Sequence, residues 1–166
     1  MYSNHMYMKK YLVLVLICLG TGVFAQQKAV VKERRTSRTV ATDQIAQFID
    51  SLQAVIISDT AKFDVKQLYK DHGVIKNKKG YSKLFVIDNK YSYRLDMIDA
   101  PKVMEFVKEF FIPASIETIV EFFEPGATAI YGSRADLGAV YIQMKKGVKY
   151  NPRVGGIGAK AKPGNL

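Results

Sequence analysis

One cysteine, two histidines and no tryptophan occur in 166 residues. A lone thiol cannot build a disulfide framework. So few thiols and imidazoles also argue against zinc sites and most thiol or imidazole catalysis. Five prolines and twelve glycines fall far short of a collagen-like or low-complexity chain. What is present is ordinary globular composition, 48% hydrophobic and 24% charged, in a length that suits one domain.

The N-terminus reads as an export signal. Lys9 and Lys10 form a basic patch, Tyr11 to Gly20 is an almost unbroken apolar run, and Val23-Phe24-Ala25 is a small-x-Ala cleavage pattern. The run is too short for a confident membrane span of about 20 residues. Cleavage predicts a mature chain starting at Gln26, exported and periplasmic or outer-membrane-associated. Met8 opens a Met-Lys-Lys start, so Met1, Met6 and Met8 all stand as candidate initiators. Cys18 lies inside the apolar run, after Ile17 where a lipidation site wants a small residue, which argues against a lipoprotein.

The formal charge of +10 is unevenly placed. Residues 26–40 carry +4 and residues 148–166 another +4, whereas residues 41–147 balance at zero. Two readings follow. The basic ends are flexible, solubilising segments, or they are attracted to an anionic envelope surface. Nucleic acid is a poor partner for an exported chain. These shifts divide the chain into a signal peptide (1–25), a basic flexible segment (26–40), a folded body (41–147) and a disordered basic tail (148–166).

Within the body, Ile45, Phe48, Ile49, Leu52 and Ile56 recur at helical spacing, with Thr42 or Asp43 as N-cap. A weaker helix is expected over about 60–71, with Phe63, Leu68 and Tyr69 inward, His72 at its end and Gly73 as the stop. Short strands are expected at 73–75 and 83–87, joined by an Asn77–Gly80 turn. The apolar run Leu84–Ile87 suits a strand covered on both faces, and Asp88-Asn89 a turn with left-handed Asn. Asp99-Ala100-Pro101 opens a further helix with a Val103, Phe106, Val107, Phe110 stripe. Residues 115–123 alternate as a half-exposed strand, 127–131 make one helical turn, and 139–144 form a last strand. The fold class is α+β, a small mixed sheet packed with two or three helices. Ile87, Ile130, Tyr131, Val140 and Ile142 are expected in the core.

The stretch from Gly126 to Gly147 resembles the end of the plug domain of TonB-dependent outer-membrane receptors, of the SusC-like type found in Bacteroidetes. The resemblance rests on Ile116–Glu121, on the octapeptide Ala127, Thr128, Ala129, Ile130, Tyr131, Gly132, Ser133 and Arg134 after Gly126, on Gly138, and on Lys145-Lys146-Gly147. Leu84–Asp88 is similar to the family's strand and turn, with Asn89 where the family has Gly. The match spans about residues 84–147. Leu137 departs from the family's usual Asn, and Ala29-Val30-Val31 is only a poor TonB box among basic residues. The segment 92–111 is longer than in most members, and only the basic tail follows Gly147, far too little for a barrel. The resemblance implies a free-standing plug-like module whose motif residues, Asp88 included, set backbone geometry. Arg134 is expected to pair with Asp136 or Glu124.

The expected function is that of a non-catalytic binding module acting on an envelope protein, an outer-membrane barrel or an associated complex. No catalytic, cofactor-binding or metal-binding residue is expected. The alternatives are a remnant or accessory of a nutrient-uptake receptor system, or a hydrolase using the carboxylate pairs Glu105/Glu109 and Asp96/Asp99.

Overall fold

The computed structural model describes residues 36–154 and 159–160; the signal peptide, Ala29-Val30-Val31 and the Gln26 terminus lie outside the described residues. The fold is α+β. A mixed sheet has the strand order β1-β6-β7-β4-β5-β8. Its strands are β1 (Ser37–Thr39), β4 (Leu84–Ile87), β5 (Tyr91–Arg94), β6 (Ile116–Phe122), β7 (Ala139–Met144) and β8 (Ala159–Lys160). The β4–β7 pair is parallel and the other neighbours are antiparallel. A separate hairpin pairs β2 (Leu68–Asp71) with β3 (Val74–Asn77). The helices are α1 (Ile45–Asp59), α2 (Ala100–Phe110) and α3 (Gly126–Tyr131).

Alternation along β4 and β7 divides the core. Phe85, Ile87, Val140, Ile142 and Met144 join α1 and α2 in the larger cluster, while Leu84, Val86 and Ala139 join Ala127 and Ala135 in a smaller one. All four residues of β4 are therefore buried, as its unbroken apolar run predicts. The larger core centres on rings: Phe85, Tyr93 and Phe110 lie with centroids 5.1–5.4 Å from that of Phe106. Tilted pairs at such distances add to the burial energy. The α2 stripe is buried as expected. Asp99 caps the helix, its side chain accepting from the Lys102 N–H, and Pro101 occupies the first turn.

Several expectations are corrected. The segment expected to be helical over 60–71 folds as two 3-10 turns followed by β2. Gly73 does not stop a helix. With His72 it makes a two-residue hairpin loop in which both have positive φ, 46° and 83°. Thr42 and Asp43 lie within a 3-10 turn ahead of α1 and do not cap it. Ile130 is 46% exposed, outside the core, and Tyr131 is half-buried, its ring edge-on to Phe122 at 5.7 Å.

The flanks are also more ordered than their composition suggests. Ser37–Thr39 pairs with β6 and Val40 is buried, so the folded body begins before residue 41. Residues 148–154 form a strap across the larger core. Val154 is buried, and Tyr150 packs on Phe110 and Tyr91. The Tyr150 hydroxyl donates to Asp88 Oδ2 at 2.6 Å, and the Tyr93 hydroxyl donates to the Pro152 carbonyl at 2.7 Å.

Candidate functional site

The signature segment is built into the fold. Gly126 lies so close to the start of β1 that a Cβ there would sit 2.7 Å from Thr36 Cβ. Gly138, at φ +92°, enters β7 where a Cβ would sit 2.9 Å from the Phe122 carbonyl oxygen. Between them Ala127 is fully buried, and Thr128 bonds the Glu124 carboxylate through both its N–H and its hydroxyl. Ala129, Gly132, Ser133 and Arg134 are exposed. Arg134 pairs with neither Asp136 nor Glu124. It reaches Ser92 Oγ at 3.5 Å, and Arg94 takes Asp136 instead, at 3.4 Å. Asp88, at φ 51°, accepts from the Met144 N–H and from Tyr150. Lys145, Lys146 and Gly147 form an exposed turn closed by the Val148 N–H on the Lys145 carbonyl.

Three of the four carboxylates in the candidate pairs are tied into the fold. Asp96 is fully buried and ion-paired to Arg94 at 2.6 Å, and it accepts from the Tyr81 N–H. Asp99 is the α2 cap, and Glu109 accepts from the Asn151 N–H. Among the described residues no group of His, Cys, Asp or Glu is arranged to hold a metal ion, and no helix is long and apolar enough to cross a membrane.

One concave surface is a groove of about 750 Å³ between α1, β1, Glu121 and residues 80–83. Glu121 is buried at its base, its side chain 8% exposed. A register shift at Ile116–Thr118 separates Glu121 from Glu117, which stays exposed. Arg38 Nη2 donates to Glu121 Oε2 at 2.7 Å, and Lys83 Nζ donates to Oε1. The Arg38 guanidinium also lies over the Phe48 ring, 5.4 Å from its centroid. The rest of the wall is largely apolar, with Leu52 and Val55 from α1 above the buried Phe85 and Leu95. Tyr81 lines the same groove, and its buried hydroxyl has no hydrogen-bond partner among the described residues. Burial, then the nearby Asp96 and Asp59, pushes that phenol up to about 12.

A second exposed feature is the β2–β3 hairpin. Val65 ahead of it, Tyr69 and Ile75 are 67%, 41% and 53% exposed. The hairpin is tied to the body by Asn77 Nδ2, which donates to the Asp96 carbonyl at 2.7 Å.

Neither surface is legible in the sequence. Arg38, Lys83 and Glu121 are far apart in the chain. The one visible sign was a glutamate among apolar residues on a strand face. No protein-family model, curated protein or solved structure matches the chain.

Proposed function

We propose that the chain is an exported, non-catalytic binding module of plug-like character, acting in the periplasm or at the outer membrane on an envelope protein. The observation that carries this reading is the exposed apolar hairpin. Tyr69 and Ile75 expose large apolar side chains on its two opposite faces, and Val65 does so just ahead of it, a composition suited to protein recognition. The resemblance of residues 126–147 to receptor plugs supports the envelope setting, and the cleavage pattern before Gln26 supports export.

The test is affinity capture of the tagged mature chain from envelope extracts, beside the Tyr69→Ser/Ile75→Ser variant. One outer-membrane protein is expected in amounts comparable to the bait, and is expected to be lost with the variant. Recovery of the same background proteins with both chains contradicts the proposal.

A further inference from the structure

The groove offers chemistry that the hairpin does not. Its volume lies within the range of small-molecule sites, which pair apolar walls with a few fixed polar groups. Here Phe48, Leu52 and Val55 supply the apolar wall, over the buried Phe85 and Leu95. Val55 is 57% exposed on that face of α1, an apolar surface with no partner of its own.

The charges along the groove do not balance. Lys62 is paired with Asp59 at 2.6 Å, while Arg38 and Lys83 share the single carboxylate of Glu121. One positive charge is left over. It is reachable, because the side chains of Arg38 and Lys83 are 51% and 35% exposed whereas that of Glu121 is not. Arg38 is also held in place by Glu121 and Phe48, so it presents its remaining N–H groups without first having to be ordered.

We propose that this groove binds a small anionic amphiphile, with one carboxylate or phosphate head against Arg38 and Lys83 and an apolar body along Phe48, Leu52 and Val55. The proposal goes beyond the envelope-protein reading, since it assigns a second surface and a different ligand class. A cationic head would meet the excess positive charge, and a neutral head would leave it uncompensated. The buried Tyr81 hydroxyl is a spare donor in the same wall.

The test is calorimetric titration of the purified mature chain with decanoate, decyl phosphate, decanol and decyltrimethylammonium, each below its micelle concentration. Decanoate and decyl phosphate are expected to bind at least about tenfold more tightly than decanol, equivalent to about 1.4 kcal/mol. Decyltrimethylammonium is expected not to bind. Which of the two anions binds better distinguishes a carboxylate from a phosphate source. Raising the salt to about 0.5 M should weaken both anions and leave decanol unchanged.

Arg38→Gln should weaken decanoate about fivefold or more and spare decanol. Val55→Asp, at an exposed helix position that tolerates polarity, should abolish binding of decanoate and decanol together while circular dichroism stays unchanged. Decanol binding as tightly as decanoate, indifference of decanoate to both substitutions, or a dimer that occupies the groove overturns the proposal. Amphiphile binding with no captured envelope protein would sink only the partner reading, and the reverse result only this one.

Discussion

Residues 148–154 should behave as part of the core. Tyr150→Phe removes the hydroxyl that donates to Asp88 at 2.6 Å and keeps the ring against Phe110 and Tyr91. A hydrogen bond to a carboxylate contributes about 1.5–3 kcal/mol. Asp88 keeps the Met144 N–H as a donor, so the lower end, about 1.5 kcal/mol, is expected. Val154→Ala deletes two buried methyl-sized groups, about 1.6 kcal/mol at about 0.8 each. Truncation after Gly147 removes both and leaves the Tyr93 hydroxyl without the Pro152 carbonyl. It also strips Phe110 of a ring 5.4 Å away. Together these losses come to about 5 kcal/mol, comparable with the whole stability of a small domain, about 5–15 kcal/mol. Urea unfolding followed by circular dichroism measures each. The point variants should lower the midpoint with the slope unchanged, and the truncated chain should be partly or wholly unfolded in buffer. A truncated chain with the midpoint of the mature protein would refute the reasoning and restore the disordered tail that composition suggests.

Three other outcomes are expected. Gly138→Ala should cost about 1–3 kcal/mol, because φ +92° strains any side chain and the new Cβ would press on the Phe122 carbonyl; thermal melts would show it. Tyr131→Ala, which loses a half-buried ring against Phe122, should cost about 2–3 kcal/mol, whereas exposed Ile130→Ala should stay within about 0.5 kcal/mol; equal effects in urea would contradict the packing. Stability should fall as pH climbs from the ordinary phenol value of 10.0 toward about 12, because the unfolded chain releases the Tyr81 proton before the folded one does. Burial pushes Tyr93 and Tyr150 up in the same direction, the latter helped by Asp88. Tyr81→Phe should flatten the decline, and an unchanged alkaline profile would place the phenol in solvent.

Local signals served where one feature had one meaning. The α1 and α2 stripes, the Asp99 cap and the fully covered β4 all follow from period and polarity. Ambiguous signals failed. Gly73 fits a helix stop and a hairpin loop equally well, and only pairing of Leu68–Asp71 with Val74–Asn77 decides between them. In the strap, Val148, Tyr150 and Val154 are isolated among Gly, Lys and Pro, so no period marks them, and their worth comes from distant partners such as Asp88 and Phe110. The groove was invisible for the same reason. Arg38 counts as one more basic residue of a flank until β1 lays it beside Glu121. The signature glycines are a middle case. The positive φ of Gly132 and Gly138 is legible from their place at the two ends of a tight loop, but the crowding of Gly126 by Thr36 and of Gly138 by the Phe122 carbonyl is not.

Export is the premise of the whole functional account. The most direct test is the intact mass of the protein recovered from cell fractions. A chain that begins at Gln26 and is found in the envelope fraction is expected. A chain that retains residues 8–25 and stays in the cytoplasmic fraction would contradict it.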